Sequence, residues 1–457
     1  MPLESAINNA RIVTPSGVIH GSVGVAEGRI AAIQMEPFSG VPSIDAAGRV
    51  LLPGLVEPHA HFWDPGATHR EDWAHGTAGA AAGGITTVIE MPLSLPPTVD
   101  RAAFQLKLER ARAGAHVDYL LWGGVVPVPS DELTQRMADL RDLGAVSYKV
   151  FMCRAANEFP ACDDGVLHEA LREGARLDVL MGIHAENDAL IHRREEELRA
   201  SGRVDPMAYA ESRPKLAERD AIAGVLEMAA ETGATIYIVH MSLAEGAELV
   251  KAAKARGQRC HVETCPQYLV LDDSALREQG PWAKCAPPLR DRENTERMWE
   301  FLLDGTIDTV GSDHAPFTPE EKEAGETEIW GAPNGLTGIQ TMLPLLLDEG
   351  LGRRGLSLER LAEVTATNAA RIFRLYPRKG VIAPGSDADF ALIDPDAEWT
   401  IKGADLLHKA KWTPYEGRRV KGRVDLTMVR GVVVFQDGRM LVDPGYGRFV
   451  GRPVSGA

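Results

Sequence analysis

The chain has 457 residues, 44% hydrophobic and 25% charged, and its 65 acidic against 49 basic side chains give a formal net charge of −16. That length allows one large domain and a smaller one. The acidic balance argues against nucleic acid or an anionic membrane as partner, since both reward basic patches, and no apolar run approaches the ~20 residues of a membrane helix.

Residues 1–51 read as short strands and turns. Segments 10–14, 21–26 and 29–33 alternate or run apolar between glycine-containing turns. From 52 to 375 the texture changes. Eight apolar, strand-like runs follow one another, at 50–56, 85–91, 117–125, 145–152, 179–184, 235–241, 259–264 and 307–311. Helical stretches fill most of the gaps, among them 101–113, 130–143, 217–232, 244–256 and 291–303. Eight strand-then-helix units predict a (β/α)8 TIM-like barrel with its site at the C-terminal strand ends. The rival, a doubly wound open sheet, would want a Gly-x-Gly-x-x-Gly turn after the first strand, and there is none. Residues 314–338 are rich in Pro, Glu and Gly, lack periodicity and read as a long active-site loop. Residues 376–457 return to β-branched runs at 390–394 and 426–435, so the two termini are expected to meet as a small β-sandwich beside the barrel.

Met-Pro-Leu-Glu-Ser at the start has neither the basic stretch nor the apolar core of a secretion signal. Cys153, Cys162, Cys260, Cys265 and Cys285 form no Cys-x-x-Cys pair. Together these predict buried free thiols and a cytoplasmic protein.

Six residues carry the chemistry: His59, His61, Lys149, His184, His240 and Asp313, each at or just past the end of an apolar run. His59 and His61, two apart in an extended segment, point the same way and converge on one point, as a metal requires. His184 and His240 close the fifth and sixth runs. Lys149 lies in the otherwise apolar segment 145–152, where an ammonium needs a partner or a change of chemistry. A desolvated lysine is a ready nucleophile, and addition to carbon dioxide would make it a carbamate able to bridge two cations. Asp313, after the eighth run, suits metal binding and proton transfer. Four histidines, one carboxylate and one lysine in one pocket predict a hydrolase with two metals ~3.5–4 Å apart, whose shared hydroxide attacks an amide carbonyl while Asp313 serves as base and then acid.

These motifs resemble the cyclic amidohydrolases of the amidohydrolase superfamily: allantoinases, hydantoinases, dihydropyrimidinases and dihydroorotases. The resemblance rests on Gly54-Leu55-Val56-Glu57-Pro58-His59-Ala60-His61, Gly84-Ile85-Thr86-Thr87, Tyr148-Lys149, His184-Ala185-Glu186-Asn187, Ile238-Val239-His240, Glu263-Thr264-Cys265-Pro266-Gln267-Tyr268-Leu269, Cys285-Ala286-Pro287-Pro288-Leu289-Arg290 and Ser312-Asp313-His314. It implies N6-carboxylated Lys149 bridging two divalent ions, zinc first among them. One ion would be held by His59, His61, Lys149 and Asp313, the other by Lys149, His184 and His240. It also implies the barrel with a terminal sandwich, and a homo-oligomer, tetramer or dimer.

Departures narrow the branch. Dihydroorotases resembling this chain have Arg where Trp63 stands. Dihydropyrimidinases and D-selective hydantoinases have Tyr where Arg154 stands. Ile89-Glu90-Met91-Pro92-Leu93, Asn157-Glu158-Phe159-Pro160 and Lys284-Cys285-Ala286-Pro287-Pro288 look most like bacterial allantoinases. Asn334-Gly335 resembles the hydantoinase segment whose backbone holds the cyclic ureide. The implied substrate is therefore a neutral cyclic ureide, allantoin first, in purine breakdown, and a 5-substituted hydantoin second. Trp63, Arg154, Ala286, His314 and Asn334 are the expected substrate contacts. A deaminase is disfavoured because no Pro-Cys-x-x-Cys follows His184-Ala185-Glu186, and a non-enzymatic relative because all six ligand positions are kept. His69, His75, His116, His168, His192 and His408 read as surface or structural residues. The run Glu320-Glu321-Lys322-Glu323 reads as a solvated loop face, and Trp330 as packing.

Overall fold

The computed structural model describes residues 2–154 and 159–451. Asn157 and Glu158 of the allantoinase-like motif lie outside them. Eight parallel strands form the barrel: β1 (Leu55–Ala60), β2 (Ile85–Glu90), β3 (Asp118–Leu121), β4 (Ser147–Phe151), β5 (Leu180–His184), β6 (Thr235–Ile238), β7 (Cys260–Thr264) and β8 (Thr309–Val310). Nearly every residue of these strands is buried, because the chain covers both faces of the sheet, and this is why they read as continuous apolar runs. Neighbours pair in chain order within β1–β3 and within β4–β8.

The ring has two irregular joints. Trp122 interrupts the third strand and fills the interior, its indole N–H donating to Pro58 O at 3.0 Å. The ladder crosses this joint through the Val146 N–H to Leu121 O bond of 3.1 Å. Gly182 opposite is obligatory, since a Cβ there would stand 2.4 Å from the Trp122 ring. The last joint, between β8 and β1, is closed by His61 N–H donating to His314 O at 2.8 Å.

The helices between strands start as local rules require. Asp100, Asp163 and Asp291 cap Arg101–Gly114, Asp164–Leu177 and Arg292–Leu303 by accepting a backbone N–H of the first turn. Helix Asp164–Leu177 buries Leu167, Ala170, Leu171, Gly174 and Leu177, the three- and four-residue spacing of a single face.

The expected first barrel strand, 50–56, divides at Gly54. Val50–Pro53 leaves the barrel and pairs with Ser5–Thr14 and Phe390–Thr400, while the barrel strand begins at Leu55. Nine strands from both termini make one sheet, in which Val50–Pro53 joins the N-terminal strands to the C-terminal ones. The sheet folds over a core including Ile7, Val23, Leu51, Phe390, Leu426 and Met428. Its halves meet where Ile30 N–H bonds Ser386 O and Ala388 N–H bonds Gly28 O, each at 2.9 Å. A buried ionic knot ties this sheet to the barrel: Lys379 Nζ lies 2.8 Å from Asp118 and 2.5 Å from Asp389, and Arg430 also pairs with Asp118. No helix among the described residues is long and apolar enough to cross a membrane, and all five cysteines are buried and unpaired.

Candidate metal centre and its cleft

The C-terminal ends of the strands open into a cleft of about 780 Å³ whose lining includes His59, His61, Lys149, His184, His240 and Asp313. β1 delivers His59, with His61 just past its end, β4 Lys149 and β5 His184. His240 and Asp313 follow β6 and β8 in left-handed backbone, φ +38° and +45°. Such a conformation disfavours any residue with a Cβ and is tolerated where surrounding structure enforces it. Here it ends each strand abruptly, at the residue that enters the cleft.

His59, His61 and Asp313 bring their ligand atoms together. Asp313 Oδ1 stands 3.2 Å from His59 Nε2 and 3.4 Å from His61 Nε2. The His184 and His240 rings lie 4.5 Å apart, centroid to centroid, and the His59 ring is 5.3 Å from that of His240. Lys149 Nζ is fully buried without a hydrogen-bond partner, 4.8 Å from the centre of the Phe151 ring. His59 Nε2, His61 Nδ1 and His240 Nδ1 are likewise buried and unpartnered.

Burial dominates the electrostatics. It holds all four imidazoles below their ordinary value, so each is neutral at pH 7 and offers a lone pair. Burial also pushes the Lys149 ammonium down to about 8. It would raise Asp313, but His59 and His61 outweigh it and hold this carboxyl below its ordinary value.

A second layer of carboxylates orients the first. Glu263 Oε1 lies 3.1 Å from His59 Nδ1, and Glu186 Oε2 lies 2.7 Å from His184 Nε2. Each accepts the N–H of one ring nitrogen and leaves the other nitrogen's lone pair free. Glu57 accepts His59 N–H at 2.8 Å and Ser312 N–H at 3.0 Å, tying the ends of β1 and β8. Arg213 is buried against Glu186, and against the pull of burial it holds that carboxyl down at about 2. Sequence reasoning assigned these four residues no role. The signal for Glu57 and Glu186 was a carboxylate two positions before His59 or after His184, and for Glu263 a carboxylate inside a buried strand; Arg213 gave none.

The expected substrate contacts divide. Trp63, Ala286 and Asn334 line the cleft. Trp63 is 4% exposed, stacks on His61 at 5.6 Å, and carries Arg70 over its face at 5.1 Å. Arg154 reaches the rim, but its guanidinium is bound to Asp188 at 2.9 Å and its side chain is 56% exposed. His314 does not face the cleft. Its ring turns behind β8, with Nδ1 accepting Gly338 N–H at 3.2 Å, Nε2 facing Glu71 at 3.3 Å, and His408 packed edge-on at 5.2 Å. The pairing of its main chain across the β1–β8 joint fixes that direction. Trp330 lines the cleft, its indole N–H on Arg203 O at 2.8 Å. The run 320–323 is solvated only in part: Glu320 and Glu323 are exposed, but Lys322 is fully buried and Glu321 pairs with Arg70 at 2.7 Å.

Comparison with known proteins agrees with this arrangement. The amidohydrolase family model matches residues 50–434. An allantoinase of Rubrobacter xylanophilus is 44% identical over 445 residues, covering 96% of this chain and 95% of that protein. An L-hydantoinase of Paenarthrobacter aurescens is 38% identical, covering 98% and 97%. Among solved structures, an L-hydantoinase (dihydropyrimidinase) from Arthrobacter aurescens superposes with a TM-score of 0.95 at 37% identity, covering 99% of this chain and 100% of that one. A barrel with candidate metal-ligand side chains at its strand ends, matched along nearly its whole length by these proteins, makes this chain a member of the amidohydrolase family.

Proposed function

We propose that the chain hydrolyses the amide C–N bond of a neutral cyclic ureide, opening allantoin to allantoate. One observation carries the chemistry: His59 Nε2, His61 Nε2 and Asp313 Oδ1 come together in a cleft that His184, His240 and Lys149, its Nζ buried without a hydrogen-bond partner, also line. Unsatisfied buried polar atoms are costly, and a donor set of imidazoles and carboxylate suits divalent ions, zinc in particular. His59, His61 and Asp313 would hold one ion, His184 and His240 the other, and Lys149, as the carbamate formed by adding its amine to carbon dioxide, would join them. Metal bound by these residues would supply Lewis acidity, lowering the pKa of a water molecule and polarising the scissile carbonyl. Asp313, a carboxylate at neutral pH, takes the proton of that water and returns it to the leaving ring nitrogen. Trp63 closes one side of the cleft with an aromatic face and brings no charge of its own, which suits a ring without a carboxylate.

Allantoin is the first substrate because the allantoinase match is the higher in identity of those above, and on that ground the proposed role is in purine breakdown. A 5-substituted hydantoin is the second reading, favoured by the L-hydantoinase likeness. We further propose a homo-oligomer, tetramer or dimer, in a reducing cytoplasm that keeps the five thiols free. The test is ring opening by the zinc- and bicarbonate-loaded protein on allantoin, a 5-monosubstituted hydantoin and dihydroorotate. Preference for the hydantoin would overturn the first reading, and preference for dihydroorotate would overturn both.

A further inference from the structure

Three segments beside the cleft converge on one guanidinium that the chemistry above did not need. Arg290, at the end of the Cys285-Ala286-Pro287-Pro288-Leu289-Arg290 segment after β7, is 7% exposed. Its Nε donates to Ser242 Oγ at 3.1 Å, one terminal nitrogen to Glu218 Oε2 at 2.8 Å, and the other to Arg213 O at 2.6 Å. Glu218, in the first turn of the helix Lys215–Thr232, also accepts Ser242 N–H at 2.9 Å and the Ser242 hydroxyl at 2.5 Å. Ser242, Glu218 and Arg213 are all buried.

These contacts lead to the two histidines of one half of the centre. Ser242 lies two residues past His240, in the turn that follows its left-handed backbone. Its N–H and hydroxyl are held as above, and its carbonyl accepts the Asn294 side-chain N–H at 2.8 Å, so the turn is fixed on every polar side. Arg213 pairs with Glu186, and Glu186 sets the ring of His184. By taking the Arg213 carbonyl, Arg290 fixes the main chain between the helices Pro206–Ser212 and Lys215–Thr232, the point from which the Arg213 side chain reaches Glu186. His59 takes its support elsewhere, from Glu57 and Glu263.

A buried ion pair such as Arg290–Glu218 is weak evidence for stability, since apolar residues of similar volume often do as well. What a guanidinium adds is direction. Its donors form a rigid planar fork, and here the fork addresses three segments at once. A methionine repeats none of these bonds, and the point charge of a lysine cannot repeat all three.

We propose that Arg290 is a positioning residue that locks His184 and His240 into one unit, setting the ligands of the second ion independently of His59 and His61. This rests on the two-ion reading of the cleft. The lock acts through neighbours only: Arg290 reaches His240 by way of Ser242, and His184 by way of Arg213 and Glu186.

The experiment loads wild type, Arg290→Met, Arg290→Lys and Ser242→Ala with zinc and bicarbonate. It follows metal content against a graded chelator and records the ring-nitrogen spectra of histidine-labelled protein in the same preparations. Wild type should hold two ions. Arg290→Met should bind one of them about 10–100-fold more weakly and keep the other as the wild type does. The ring signals of His184 and His240 should move while those of His59 and His61 stay. Arg290→Lys keeps a charge beside Glu218 without the fork and should fall between the two. Equal weakening of both ions, no weakening of either, or full recovery of the second ion in Arg290→Lys would overturn the proposal. If Arg290→Met does not fold, Ser242→Ala keeps the Arg290–Glu218 pair and cuts only the branch to His240. It should weaken the same ion by a smaller factor and move the His240 signals more than those of His184, and unchanged binding and signals would count against the lock. A wild type that never holds two ions sinks the two-ion reading, and the ring signals still decide the lock.

Discussion

Glu186 Oε2 sits 2.7 Å from His184 Nε2 and thereby decides which nitrogen of that ring faces the cleft. Glu186→Ala frees the imidazole to turn and strands Arg213 in a buried site. The expected outcome is metal affinity weakened about 10–100-fold, read as metal content after dialysis against a graded chelator. A variant that keeps its metal as well as the wild type would refute the orienting role.

Asp313 touches both His59 and His61 and is the proposed proton carrier. Asp313→Asn keeps the shape and removes the base. Turnover should fall by about 10²–10⁴-fold, followed with saturating substrate so that binding losses do not mask the chemical step. Near-normal turnover would end the assignment.

Removing metal tests the centre as a whole. Prolonged chelation should abolish ring opening, and zinc with bicarbonate should restore it. The stripped protein should also unfold at a lower temperature, since an ion bound only by the native state stabilises it by mass action. Activity that survives complete stripping, verified by elemental analysis, would remove the hydrolytic mechanism proposed here.

Trp63 and Arg154 should behave oppositely. Trp63→Arg places a cation against the stacked His61 ring and should shift the ratio of kcat/KM toward dihydroorotate and away from the neutral rings. Arg154→Ala should change kcat/KM on neutral rings by no more than about threefold, because this guanidinium already belongs to Asp188 at the exposed rim. A large loss in Arg154→Ala would show that it leaves Asp188 to reach the ring.

Burial holds the Lys322 ammonium at about 7 in the native state, against an ordinary 10.5. Between those values the unfolded chain binds a proton that the native chain has released, so this residue makes stability rise with pH across that window. Lys322→Met lacks the contribution. Denaturant unfolding at pH 7, 8, 9 and 10 should show wild type gaining on the variant at each step, and parallel curves would contradict the shift.

The sequence carried the barrel because parallel strands buried on both faces leave uninterrupted apolar runs, and its six candidate ligands line one cleft because each ends such a run. Its misses share a cause. Residues 50–56 form one apolar run although Gly54 hands the chain from one sheet to another, and hydropathy does not register a change of partner. His314 sits beside Asp313, yet the direction of its ring is fixed by a main-chain pairing across the β1–β8 joint, which periodicity cannot report. Lys322 lies among glutamates and looked solvated. The short helix that buries it did have a local signal, the Thr318-Pro319-Glu320-Glu321 capping box.

The joint between the last strand and the first is closed by His61 and His314, each adjoining or supplying the residues that face the cleft. Circularising the barrel and bringing His59 and His61 to Asp313 are therefore the same event. A chain that has formed its first three strands and its last five, but has not yet joined them, holds its ligands in two unconnected groups. Selection for a working site on this chain is in the same stroke selection for a completed fold, and a mutation that loosens the seam should appear first as poor metal retention, before any loss of secondary structure.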